Sequence, residues 1–289
     1  MPCADRRRCW SGSDAGEGCA GHVRGTTDPT DFDPAAALEQ LAAATGQLLR
    51  TASGFTDAEV RAPSLLPGWS RGHVLTQLAR NADGGRRLLG WARTGMEAAE
   101  YPSLAARDEQ IEAGAGRGAA ELPADLRCSA GEFEAECRCS AGEFEAECRC
   151  SAGEFEAECR RMPPEVWHRT VRWTRGQERP ALRAADARLR EVLLHHADLD
   201  AGYTPAHWPA DFVEAMLGRV VASFAAREHA PAMRLHATDT GATYGTSGPR
   251  QPVVGGPQHA LPAWLMGRSL GADLLVRNAL ALPAPPFLY

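Results

Sequence analysis

The stretch LREVLLHHADL, Leu189 to Leu199, decides how this chain is read. Its apolar residues recur at helical spacing, and it places Glu191 four residues before His195. On a helix, positions i and i+4 lie on one face, about 5–6 Å apart at Cβ. A carboxylate and an imidazole so placed can grip one metal ion. A third candidate ligand, His73, sits in LPGWSRGHVL (66–75), near the start of another expected helix. Two histidines and one carboxylate leave a coordination position open, which marks a catalytic rather than a structural metal site.

Working outward, the periodicity predicts helices over 34–50, about 71–93, about 104–115, through the repeat described below to about Met162, and over 182–199. Aspartates before residue 34 suit a helix start, and Pro163-Pro164 ends the repeat helix. Four long helices before residue 200 suit an antiparallel bundle with a site built from facing helices. Beyond a linker at Ala201–Pro205 comes one more amphipathic helix, Pro209–His229. Short strand-like runs follow at 232–237, 242–246 and 272–278, with a helix at 259–266 between the last two. The architecture expected is mainly α: a disordered extension over 1–29, a four-helix bundle over 30–200 and a small α+β domain over 201–289.

Composition narrows the function classes. A chain of 289 residues, 44% hydrophobic and with a net charge of −6, reads as an ordinary globular protein. There is no basic surplus, which argues against a nucleic-acid partner. Every cation of the Lys/Arg class is an arginine. No apolar run reaches the roughly 18 residues that a membrane crossing needs. The first residues carry charge but no apolar core, unlike a secretory signal.

The unit RCSAGEFEAEC occurs three times unchanged, at 127–137, 138–148 and 149–159. Six of the nine cysteines lie in it, and the others are Cys3, Cys9 and Cys19. An odd count gathered in two such regions does not read as a disulfide framework, and reduced thiols in the cytoplasm are expected. Eleven residues make about three helical turns, which sets Phe133, Phe144 and Phe155 along one stripe. The expectation is that one copy belongs to the bundle helix and two protrude from it.

His73, Gln77 and Asn81 recur every four residues on one face, so Gln77 and Asn81 are candidates to line the same cavity. Asp198 is near the face of Glu191 and is a candidate to orient a ligand, or equally an exposed or capping carboxylate. His196 is turned about 100° from His195 and reads as a packing or surface residue.

Three segments, LLPGWSRGHVLTQLARNAD (65–83), LREVLLHHADLDAGYTPAHWP (189–209) and WLMGRSLGADLL (264–275), together resemble the mycothiol-dependent maleylpyruvate isomerase family. The resemblance spans about residues 30–289 apart from the repeat. It implies a DinB-like bundle with a small α+β domain, and a zinc ion held by His73, Glu191 and His195. It implies mycothiol as the second cofactor, with Gln77, Asn81 and Arg268 toward it. Arg268 also matches a family arginine that meets substrate carboxylates, and Arg107 is a second such candidate. The implied chemistry is addition of a thiolate to the cis double bond of maleylpyruvate, rotation, and elimination to fumarylpyruvate, within aromatic catabolism. Three alternatives stay open on this architecture: a zinc-dependent mycothiol S-transferase on another electrophile, a non-catalytic metal- or thiol-sensing module, and a metal-dependent hydrolase. The expected partners are a small-molecule substrate and a low-molecular-weight thiol, with no nucleic acid, no membrane and a monomeric chain.

Overall fold

A computed structural model describes residues 33–141, 165–227, 231–245 and 251–283. These residues divide into two compact units, with the break between Gly202 and Tyr203. The readings placed on residues 1–29, on the repeat beyond residue 141 and on the Pro163-Pro164 helix end lie outside the described residues.

The first unit is a helical bundle. Its long helices are α1 (Pro34–Ser53), α3 (Arg71–Thr94), α5 (Glu121–Ala141) and α7 (Leu182–Asp198). Shorter pieces are α2 (Asp57–Arg61), α4 (Leu104–Ala115) and α6 (Glu165–His168), with an antiparallel hairpin of β1 (Thr170–Arg172) and β2 (Glu178–Pro180). The four long helices close a ring, α1 against α5, α5 against α3, α3 against α7 and α7 against α1. The apolar stripes explain it. Leu41, Ala44, Leu48 and Ala52 of α1, Leu75, Leu78 and Ala82 of α3, and Leu122, Leu126 and Phe133 of α5 are all buried at i, i+3, i+4, i+7 spacings.

Helices α1, α3, α4 and α7 fall where periodicity put them. The hairpin and the one-turn helices α2 and α6 were not expected. They are too short for a periodic signal, and the hairpin turns on Gly176 at φ +82°. Helix α2 is held by a capping box between Thr56 and Glu59.

The first repeat copy lies within α5. Its Ala130, Phe133 and Cys137 are buried, and its Glu132 and Glu136 pair with Arg86 (3.2 Å) and Arg93 (2.7 Å) of α3. Phe133 lies where a side chain on Gly85 would stand, so α3 and α5 can approach only because residue 85 has no Cβ. The same device brings α4 onto α3. A Cβ on Gly72 would strike the Ala115 carbonyl, and one on Gly114 would come within 2.5 Å of Thr76 Cγ2.

The second unit holds a 3₁₀ turn (Pro205–His207), α8 (Ala210–Ala225), α9 (Ala260–Leu265) and a four-stranded sheet. The strands β3 (Arg234–Ala237), β4 (Thr243–Gly245), β5 (Val253–Gly256) and β6 (Leu275–Arg277) lie in the order β4-β3-β5-β6. Only the β3–β5 pair is parallel. Strand β5 was not expected, because four residues ending in two glycines carry little strand signal. Met216, Leu217 and Val220 of α8, Leu235 and Val254 of the sheet, and Leu261 and Trp264 of α9 are buried. The chain is thus mainly α, a helical bundle followed by a small α+β domain. Among the described residues no helix is long and apolar enough to cross a membrane.

Replacing Phe133 by Ala should destabilise the bundle by about 3–5 kcal/mol. Replacing Gly85 by Ala should cost about 1–3 kcal/mol through overpacking. Because the F133A change removes the clash, the double variant should lose less than the sum. Urea titrations followed by helical circular dichroism measure the cycle, and strict additivity would show that Gly85 does not answer to this ring.

Candidate metal and thiol site

Helices α3 and α7 run antiparallel and meet through a ladder of polar side chains. Gln77 Nε2 on α3 donates to Glu191 Oε2 on α7 at 3.1 Å. One turn further along α3, Asn81 Oδ1 accepts from Arg188 Nη1 at 3.0 Å. At the other end Arg71, the first residue of α3, donates from Nε to the Leu199 carbonyl (2.6 Å) and from Nη2 to that of Asp200 (2.8 Å). Arg71 therefore serves the C-terminal carbonyls of α7, which favour a cation. His73 lies one turn before Gln77 and His195 one turn after Glu191. The backbone register therefore sets the two histidines at the same level.

Glu191 and His195 face each other, with Nε2 of the imidazole 3.3 Å from Oε2 of the carboxylate. Both are buried, at 5% and 2% exposure. Asp198, at 0% exposure, holds His195 Nδ1 at 2.8 Å. Asp198 is thus buried rather than exposed, bonded to His195 on its own i+3 turn. Arg107 of α4, also buried, donates from Nη2 to Gln77 Oε1 at 2.8 Å, and from Nη1 to Asp108 Oδ1 at 2.8 Å. Its guanidinium stands 5.9 Å from the Tyr101 ring centroid. The contact fixes the orientation of the Gln77 amide, because the oxygen must face Arg107 and the nitrogen must face Glu191. One buried chain results: Arg107, Gln77, Glu191, His195, Asp198. The close α3–α4 approach at Gly72 and Gly114 is what lets Arg107 reach it.

Burial works against a charge on His195, but the Asp198 hydrogen bond and then Glu191 outweigh it, and the imidazole is pushed up to about 9. Burial likewise opposes the Glu191 charge. The hydrogen bond and charge of His195, with Arg107 and Gln77 behind them, hold its carboxyl below the usual range.

His73 departs from expectation. Its Nδ1 accepts from the Ser70 amide at 3.2 Å and lies 2.7 Å from Ser70 Oγ, while Ser70 Oγ accepts from the His73 amide. The ring takes the place that Glu holds in a capping box, an S-x-x-H signal that the sequence carries and spacing arguments overlooked. It also stacks on Trp69, with centroids 5.8 Å apart. Its Nε2 is 3.4 Å from Glu112 Oε2 rather than in the Glu191–His195 pair. Among the described residues no three His, Cys, Asp or Glu side chains stand together as a metal-holding group. Of the three expected ligands, Glu191 and His195 stand together, while His73 is turned to Glu112.

Gln77 and Asn81 share one face with His73 and both touch α7. His196 packs toward α1, its Nε2 2.8 Å from Thr51 Oγ1. Arg268 belongs to the other unit, in the turn after α9, and its Nη1 donates to the Met266 carbonyl at 3.2 Å. Arg188, buried between α3 and α7, is one of three arginines on α7, and nothing in the sequence distinguishes it before burial is known.

A ring of four helices with a buried carboxylate–imidazole pair on α7, met by Gln77 of α3, defines a helical-bundle protein with a polar cluster between its helices. Residues 41–143, within the helical unit, match the family model described as mycothiol maleylpyruvate isomerase N-terminal domain. Two crystal structures share the fold, one of the mycothiol-dependent maleylpyruvate isomerase and one of a histidine-to-alanine mutant of it. Each is 23% identical and covers 91% of this chain and all of its own, with TM-scores of 0.76 and 0.75. No curated protein sequence matches the chain.

Because the folded-state value of His195 is raised above the ordinary imidazole value of about 6.5, its pairing stabilises the metal-free fold fully below that pH. The contribution is lost as pH rises through about 9. Thermal unfolding of the metal-free protein should therefore move down by roughly 5 °C or more between pH 6.5 and 9.5. The H195Q variant should show a flatter profile over that range. An equally steep profile in H195Q would remove the pair as its source.

Proposed function

We propose that this chain is a zinc- and mycothiol-dependent cis–trans isomerase of the maleylpyruvate type. The observation that carries the reading is the buried Glu191–His195 pair, backed by Asp198 and Gln77, in a bundle whose domain family and fold are those of such enzymes.

The donor set fits a divalent ion of intermediate softness. An imidazole Nε2 and a carboxylate oxygen already point at one another, and the second imidazole nitrogen is held by a carboxylate, as outer contacts of metal-bound histidines commonly are. Zinc bound there would acidify a thiol, and mycothiol would bring the sulfur that adds to the cis double bond and leaves it after rotation. The residues of the chain prepare that event. With a metal bound, Asp198 would hold the remaining His195 proton on Nδ1 and leave the Nε2 lone pair to the ion. Gln77, oriented by Arg107, pins one Glu191 oxygen. His73, now facing Glu112, would be the third residue to hold the ion. Asn81 and Gln77 line the face toward the thiol. Arg107 acts through Gln77 on Glu191. For Arg268 the family resemblance alone carries a contact with a substrate carboxylate.

Purified protein should carry about one zinc per chain and isomerise maleylpyruvate only when mycothiol is added, as followed by ultraviolet absorbance. H195A should lose both metal and turnover. D198N should weaken zinc binding by roughly 10–100-fold. A thiol conjugate without isomer would favour the S-transferase, turnover without thiol the hydrolase, and zinc without turnover the sensing module.

A further inference from the structure

Two arginines are buried among the described residues, Arg107 and Arg188, and they differ in one respect. Both terminal nitrogens of Arg107 have acceptors, Asp108 and Gln77. Arg188 directs Nη1 at the Leu78 carbonyl (2.7 Å) and Asn81 Oδ1 (3.0 Å), while its Nη2 is equally buried and meets no acceptor.

The position gives this weight. Arg188 precedes Glu191 by three residues on α7, so it stands on the same face, one turn from the carboxylate. Its partner Asn81 stands one turn beyond Gln77 on α3. Arg188 and Asn81 are thus the next level of the ladder that carries Gln77–Glu191 and His195. A cationic donor shut away from water without an acceptor is an unfavourable arrangement, and it becomes favourable when an anion completes it. The Nη1 contacts hold the guanidinium plane, so Nη2 is aimed before any ligand arrives. Burial draws the Arg188 pKa down to about 10, with Glu191 opposing the fall, so the group is charged at neutral pH.

We propose that Arg188 is a substrate-binding residue: its Nη2 donates to a carboxylate of a small anionic substrate lying against the α3–α7 face, while Asn81 and the Leu78 carbonyl hold the guanidinium in place. The inference rests on reading that face as a substrate site, and it needs no metal. It assigns the carboxylate grip in the bundle to Arg188 and leaves Arg107 as a positioning residue for Gln77.

Isothermal titration calorimetry with maleate, a small cis dicarboxylate, tests it on the full chain, both metal-stripped and zinc-loaded. The wild type should show saturable binding. R188M should weaken it at least tenfold, and so should R188K, because one ammonium cannot hold Asn81 and Leu78 and also reach the ligand. Circular dichroism checks folding, and where R188M fails to fold, R188K decides. No maleate binding by the wild type, or wild-type affinity in the folded variants, overturns the proposal and leaves Nη2 to water. Zinc content, measured separately, reports on the metal. A protein that takes up no zinc yet binds maleate through Arg188 keeps this inference and loses the metal reading. One that loads zinc and binds maleate independently of Arg188 does the reverse.

Discussion

Glu191 and His195 are buried together, and neither ion could stay in that interior alone. A buried charge without a partner carries a penalty of several kcal/mol, so the pair requires that its remaining hydrogen-bonding atoms also be met. Asp198 meets one side and Gln77 the other, and Gln77 in turn requires Arg107. Each of these side chains comes from α3, α4 or α7. Slippage of any of the three helices by one turn would leave an ion in the core unmatched. The polar chain therefore specifies the register of the bundle more narrowly than its apolar stripes can.

That register depends on residues with no polar group at all. Gly72 and Gly114 let α4 lie close on α3, and without that approach Arg107 would not reach Gln77. Gly85 admits the Phe133 ring and seats α5 on the opposite side of α3. Helix α3 is thus held from two sides by close contacts while its third face carries the ladder to α7. Arg71, reaching past the end of α7, sets the height at which that ladder begins.

The repeated segment obeys the same economy. Its first copy supplies the ring that α3 has room for and two glutamates opposite two α3 arginines.

Much of this was legible in the chain order of residues. Helical spacing marked the long helices, and the Glu191–His195 interval, a local i+4 relation, placed the pair on one face whatever surrounded it. The Gln77 and Asn81 positions followed from the same arithmetic. The partners across helices were not legible. Arg188 reads like any surface arginine until α3 and α7 close over it, and nothing in the spacing of Arg107 announces its contact with Gln77. His73 shows the boundary most plainly. Its level relative to His195 follows from two helices packed antiparallel, but the direction of its ring is set by a competition between the Ser70 cap, Glu112 and the buried pair. Interactions within one turn of helix are written in local sequence. A choice among contacts from distant segments is made only when packing brings those segments within reach of one another.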